Sequence, residues 1–299
     1  MWLLFAIITT LSWAFSDLFY KKGAAPSDKT SHLKTAIMVG LVMGLHGFFY
    51  MVIKDVEFSP LYLVTYFPVS FMYILSMTIG YLGLRYIELS ISSPIQNSSG
   101  VVTALLIFFF FDHTLSWMEI LAIATITLGI LALALEEKKE GDLLPLSPQE
   151  KKKYRTGLFA ILFPILYSII DGLGTFFDAI YLDELQLIGE DQALLAYEFT
   201  FFLCALLLLL YLRIKKEPFS ILEQKDRGLA AAFETLGQFF YVFAMARNAI
   251  ITAPLIASYS VFSVLLSRIF LKERLSKPQY ASIITVLSGI LILALSEVL

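Results

Sequence analysis

Acidic side chains inside long apolar blocks are the first residues to consider, because a charge in lipid is costly and marks function by default. Asp17, Asp171, Glu198 and Glu234 stand in such blocks, with Asp178 a weaker fifth nearer a block end. No Lys or Arg lies well inside a block to neutralise them, since Arg85, Arg247 and Arg268 sit at or near the ends. Trp13 precedes Asp17 by four residues and Tyr167 precedes Asp171 by four, so on a helix each ring shares a face with its carboxylate. A ring face beside a carboxylate suits an organic cation, held by cation–π and Coulomb attraction together. Tyr197 beside Glu198 makes a weaker pair, because adjacent residues point apart.

Each of these residues also has a structural reading. Asp17 has Lys21 four residues on, which fits an ion pair along one helix face. Asp171 is followed by Gly172 and Gly174, which invite a break or a close helix approach, and it could instead bond a Ser or Tyr of another helix. Glu234 shares a face with Gln238; Glu234 and Asp171 are the candidate groups for exchanging a proton against substrate, with structural hydrogen bonding as the alternative. Gln96 and Asn97 follow Pro94, and Ser258 and Tyr259 follow Pro254. Proline suits a first helical turn, where free N–H groups can hold a carboxylate or hydroxyl; equally, the prolines simply start two helices. His46 has no visible partner and reads as structural. No His/Cys cluster suggests a metal, and no cofactor is expected.

The elements that must position these groups are set by composition. The 299 residues are 58% hydrophobic and only 16% charged, where a soluble domain carries about 25%. With a mean hydropathy of +0.78, this excludes a disordered chain, a nucleic-acid binder and an ordinary cytosolic enzyme. The net charge of −3 implies no polyionic partner, and the single Cys204 permits no intrachain disulfide. Ten apolar blocks, near 2–20, 35–53, 61–84, 91–111, 117–135, 157–182, 193–212, 228–246, 251–270 and 279–297, are long enough to cross lipid. Each is expected to be a helix, because lipid offers the backbone no hydrogen bonds and runs such as Leu206–Leu210 lack the alternation of a barrel strand. Lys21 and Lys22 follow the first block, which suits a retained helix better than a signal peptide. The joins after blocks 1, 3, 5, 7 and 9, with Arg268 at the end of the ninth block, hold 20 of the 22 basic residues, all but Lys54 and Arg247. That segregation predicts those joins in the cytoplasm and both termini outside it, in the plasma or inner membrane.

The chain is written twice. A shift of 160 aligns residues 91–137 with 251–297 without a gap, 18 of 47 positions being identical, with Pro94 on Pro254, Ser98 on Ser258 and Gly129 on Gly289. A shift of 154 aligns Leu4-Phe5-Ala6-Ile7 with Leu158-Phe159-Ala160-Ile161 and puts Asp17 on Asp171. The expected architecture is therefore an all-α polytopic membrane protein: a five-helix repeat over 1–137, a polar cytoplasmic linker over 138–156 and a second repeat over 157–299. An odd helix count inverts the second copy, which is the architecture of secondary transporters.

Phe243-Ala244-Met245-Ala246, Thr252-Ala253-Pro254, Leu271-Lys272-Glu273-Arg274-Leu275-Ser276 and Ser288-Gly289-Ile290 resemble the EamA repeat of the drug/metabolite transporter superfamily. The first half departs from that pattern at Asp112-His113-Thr114-Leu115. The resemblance implies a ten-helix secondary transporter whose central cavity is lined by helices 1, 3, 4, 6, 8 and 9. It also implies substrates ranging over amino acids, amines, quaternary ammonium compounds, sugars and nucleotide sugars. No Gly-x-x-x-x-Gly-Lys-Ser/Thr loop is present, so proton coupling or solute exchange is expected to drive transport. The acidic blocks favour an amine, a quaternary ammonium compound or an amino acid. Export of aromatic or neutral amino acids, or of a sugar-type metabolite, is the alternative. An intramembrane aspartyl enzyme or a channel is the reading from another class. Expected partners are a small-molecule substrate, the bilayer and protons; the chain is expected to act as a monomer, with a dimer as the alternative.

Overall fold

A continuous apolar block leaves the backbone no partner but itself, and the chain answers with helices throughout. The computed structural model describes residues 1–25, 27–87, 89–111, 116–143, 162–272 and 275–296, and among these no residue is in a strand. The helices are α1 (Trp2–Gly23), α2 (Ser31–Lys54), a short α3 (Leu61–Thr65), α4 (Phe67–Gly83), α5 (Leu89–Asn97), α6 (Ser99–Phe110) and α7 (Trp117–Leu143). They continue with α8 (Leu162–Ala179, extended by a π-helical turn Ile180–Glu184), α9 (Glu190–Ile214), α10 (Lys225–Met245) and α11 (Ala249–Ala257). The last are α12 (Tyr259–Leu266, extended by a π-helical turn Ser267–Leu271) and α13 (Lys277–Ser296).

Six helical stretches among the described residues are long and apolar enough to cross a membrane: α1, α2, α8 with its turn, α9, α10, and α11 through Leu271. Phe67–Gly83 and Trp117–Ala132 are shorter apolar helices. Large apolar side chains face outward along the chain's helices; Phe109 on α6, Val64 on α3 and Ile269 in the turn after α12 are each at least 66% exposed. Ser, Thr, Asp, Glu and Gln side chains lie buried instead, which is the arrangement of a multi-pass membrane protein. Helix α7 continues through Leu143, into the segment read as a linker, and 144–156 lies outside the described residues.

The two prolines do not start helices. Pro94 lies within α5 and Pro254 within α11, because residues 89–93 and 249–253 already wind into helix. The breaks come four residues later, at Ser98 and Ser258. Ser98 Oγ donates to the Ile95 carbonyl at 2.7 Å and Ser258 Oγ to the Leu255 carbonyl at 2.5 Å. In each case the backbone N–H of the same serine turns to that carbonyl too, at 3.3 and 3.1 Å, so the turn tightens and the helix restarts at the next residue.

Helix pairing crosses between the two halves of the chain. Helix α1 packs on α10, α2 on α9, α4 on α8, α6 on α11, α5 on α12 and α7 on α13. Glycines bring some of these pairs into backbone contact. A Cβ added at Gly40 would stand 2.2 Å from the Phe201 carbonyl oxygen, so α2 and α9 touch main chain to main chain. On α7 and α13 the contacts are reciprocal: a Cβ at Gly129 would meet Val286 Cγ2 at 2.5 Å, and one at Gly289 would meet Ile126 Cγ1 at 2.7 Å.

Candidate functional site

Helices α1, α4, α5, α6, α8, α9, α10, α11 and α12 enclose a cavity of about 60 Å³. Small-molecule pockets run to roughly 300–1,000 Å³, so this conformation leaves room for little more than water, and a metabolite needs the helices to part. Three carboxylates line it, Asp17, Asp171 and Glu234, and among the described residues lining it there is no Lys, Arg or His.

Asp17 is anchored from both halves: Ser93 Oγ on α5 donates to its Oδ2 at 2.6 Å, and Ser263 Oγ on α12 donates to the same oxygen at 2.8 Å. Asn97 Nδ2 donates in turn to Ser93 Oγ at 3.3 Å. The ion pair expected between Asp17 and Lys21 does not form. Lys21 Nζ instead donates to the Leu84 carbonyl at 3.0 Å and to that of Ile87, caught by the turn that ends α4. Glu234 Oε2 accepts from Ser16 Oγ at 3.1 Å and from Tyr20 OH at 3.3 Å, with Tyr81 OH donating onward to Tyr20 at 3.0 Å. Asp171 Oδ1 accepts from Ser76 Oγ at 3.3 Å. On Asp17 and Glu234, then, hydroxyls fix one carboxylate oxygen, and no described side chain donates to Asp17 Oδ1 or Glu234 Oε1.

Aromatic rings wall the rest. Trp13 stands 5.1 Å from Tyr241 and 5.8 Å, edge-on, from Tyr259, and its Nε1 donates to the Glu234 carbonyl at 3.4 Å. Tyr20 packs on Tyr81 at 4.6 Å, and Tyr73 meets Tyr197 at 5.7 Å. Gly80 makes room for Tyr167, whose ring would lie 2.8 Å from a Cβ at that position.

Of the residues singled out from sequence, Trp13, Asp17, Gln96, Asn97, Tyr167, Asp171, Glu234, Gln238 and Tyr259 share this one cavity. Gln96 Nε2 donates to Ser92 Oγ at 3.1 Å, whereas Gln238 Nε2 is buried with no partner among the described residues. Two others lie elsewhere. Ser258 is buried in the break between α11 and α12, with its hydroxyl spent on Leu255. Glu198 points away from the cavity, with His46 Nδ1 at 2.8 and 2.9 Å from its two oxygens. His46 therefore does have a partner, one that a separation of 152 residues concealed.

Asp178, ranked low for its position near a block end, is fully buried. Tyr66 OH donates to it, and Tyr73 OH lies 3.4 Å from its Oδ2 while bonding Tyr241 OH at 2.7 Å. Tyr20, Tyr73, Tyr81 and Tyr241 also line the cavity without standing out in the sequence. One signal was available: the shift of 160 that relates the later helices also puts Tyr81 on Tyr241.

Residues 1–135 and 158–295 each match the model of the EamA-like transporter family. An uncharacterised protein of Methanocaldococcus jannaschii is 30% identical over 139 residues, which is 98% of that protein and 46% of this chain. A protein of known crystal structure superposes with a TM-score of 0.68 at 14% identity, over 98% of this chain and 96% of the other; that likeness speaks for the fold alone.

Proposed function

The chain belongs to the EamA-like transporter family of the drug/metabolite superfamily, and from that premise we propose that it is a secondary transporter that carries a small cation through the central cavity by alternating access. The observation that carries the reading is the cavity's charge: three carboxylates, Asp17 and Glu234 buried and Asp171 half-buried, no fixed cation among the described lining residues, and ring faces around them. Such a site is electrically incomplete without a cation or protons. An amine or quaternary ammonium group supplies the charge and meets the rings of Trp13, Tyr167 and Tyr259. An amino acid is the second reading. It is favoured by Ser99, Gly100 and Tyr259, at the starts of α6 and α12, which border the cavity where a carboxylate could meet helix N-terminal N–H groups.

The halves 1–137 and 157–299, joined by the linker 138–156, are read as two inverted five-helix repeats. The reciprocal contact of Gly129 with Val286 and of Gly289 with Ile126 supports this, since those pairs exchange under the shift of 160, as an isologous contact requires. So do the cross-pairings of α1 with α10 and α4 with α8. The relative from Methanocaldococcus jannaschii matches 46% of the chain over nearly its whole length, as one repeat would. Asp171 and Glu234 are the candidates for proton coupling, with solute exchange as the other drive. The chain is read as a monomer in the plasma or inner membrane, with both termini outside and the basic joins in the cytoplasm. Transport is proposed in place of catalysis.

Counterflow in proteoliposomes tests the reading. Vesicles preloaded with tyramine, choline, leucine or glucose would be given the same solute labelled outside. Labelled tyramine or choline accumulating ahead of its concentration, or leucine under the second reading, is the expected result. Equilibration without overshoot for all four would remove the carrier reading.

A further inference from the structure

We propose that His46 and Glu198 form a proton-binding site of the transport cycle, separate from the substrate cavity and loaded from the membrane face that bears Asp191. The proposal rests on the coupled-transport reading above. Glu198 is fully buried on α9, and among the described residues His46 is the sole side chain that hydrogen-bonds its carboxylate. Gly47 lets α2 approach closely enough for this, since a Cβ there would stand 2.9 Å from Glu198 Oε2. A lone carboxylate so placed is strongly unfavourable, whereas an imidazolium beside it cancels the charge.

The imidazole is built to exchange that proton. Nδ1 faces Glu198, which fixes the Nδ1–H tautomer, while Nε2 has no partner among the described residues and the side chain is 34% exposed. A hydronium ion reaching Nε2 transfers its proton: an N–H bond forms, the donor's O–H bond breaks and water remains. The pair passes from a net charge of −1 to zero. His46 lies eight residues before the end of α2 at Lys54, and Glu198 eight after the start of α9 at Glu190. Both therefore lie about 12 Å in from the same face. One turn nearer that face, Tyr50 OH donates to Asp191 Oδ1 at 2.7 Å, and the Tyr50 ring stacks 5.9 Å from His46. The titratable groups around the pair are Tyr50 on α2, Asp191 and Glu190 on α9, and Arg247 after α10, which holds Glu190 at 3.3 Å; α10 itself presents Phe239 to the imidazole.

The pair also backs onto the cavity. Tyr197 and Gln238 line it, and the next residue on each helix, Glu198 and Phe239, belongs to the pair or packs on it. Changing the pair's charge thus acts on the far side of the wall that the substrate touches. Gln238 Nε2 in that wall is buried with no partner among the described residues.

The test separates proton-driven from exchange transport, with tyramine as probe. In reconstituted His46→Gln and Glu198→Gln, uptake driven by an imposed pH gradient should fall about ten-fold or more while tyramine counterflow changes by no more than about three-fold. Histidine NMR of the wild type should show His46, identified by its loss in His46→Gln, titrating, and its titration curve should change when Glu198→Gln removes the facing charge. Full gradient-driven uptake in both variants, or parallel loss of counterflow as a purely structural staple would give, overturns the proposal. So does a His46 that does not titrate. Wild-type counterflow that ignores the pH gradient removes proton coupling and this site but leaves the carrier. Absence of counterflow for every solute removes the carrier instead, and the NMR result then decides the proton site by itself.

Discussion

The indole of Trp13 fills the space a side chain would take at Gly237: a Cβ there would stand 2.4 Å from Trp13 Cδ1 and 2.5 Å from Nε1. The contact joins α1 to α10 at the cavity wall, and it holds Trp13 Nε1 within 3.4 Å of the Glu234 carbonyl. One missing methyl group thus fixes both a helix crossing and the ring that borders Asp17 and Glu234.

Gly237→Ala should therefore displace the indole and cost about 1–3 kcal/mol, the usual penalty of overpacking a tight contact. Melting of the purified protein should drop by several degrees, and uptake of the probe should fall with it. Gly228→Ala on the same helix is the control. Its Cβ would meet only the flexible tip of Met38 at 3.4 Å, so the helix-stabilising gain of alanine, up to about 1 kcal/mol, should remain. Equal melting shifts for the two variants would contradict the packing described.

Asp171→Asn removes a charge while keeping a group of similar size that can still accept from Ser76. Folding should survive, as judged by an unchanged melting temperature within about one degree, while coupled uptake of a cationic probe falls by about a hundred-fold or more. Wild-type uptake in this variant would remove Asp171 from the transport site.

Ser93 and Ser263 both donate to Asp17 Oδ2, from helices in opposite halves of the chain. Hydrogen bonds to a charged group are worth about 1.5–3 kcal/mol, so Ser93→Ala or Ser263→Ala should each weaken binding of a cationic probe by about ten-fold or more. Because the two hydroxyls share one oxygen, the double variant should lose less than the sum of the single losses. Strict additivity in calorimetric titrations would mean that they act apart.

The helical blocks were legible because lipid imposes a length of about 20 apolar residues, and the repeat because two copies retained the same Pro, Ser and Gly register. The acidic residues stood out for the same reason: Asp171 and Glu234 interrupt apolar runs with no basic residue within a turn, and Asp17 with only Lys21 in reach. Which way each side chain turns was hidden, since that is set by partner helices far along the chain. Glu198 carries as strong a signal as Glu234, yet it turns to His46 and away from the cavity. Pro94 and Pro254 read as helix starts, but both lie inside a helix, and the serine four residues on makes the break by competing for a backbone carbonyl. Asp178 was undervalued because Tyr66 and Tyr73, which bury it, come from α4 and the turn before it.

The contact between α7 and α13 offers a test of symmetry that is independent of substrate. Gly129 admits Val286 and Gly289 admits Ile126, and each pair is the image of the other under the shift of 160. If a pseudo-two-fold axis relates the halves, the two glycines sit at matching points of the interface, one against Val286 and one against Ile126, and the same substitution should cost about the same at both. Gly129→Val and Gly289→Val should each destabilise by about 1–3 kcal/mol, since the added methyls meet Val286 or Ile126 at under-contact distance. The double variant should exceed either single one, and its excess should depart from the sum because the residues share one interface. Thermal unfolding in detergent reads all three. Losses at the two positions that differ by more than about 1 kcal/mol would mean the helices cross without the exchange that an isologous contact demands.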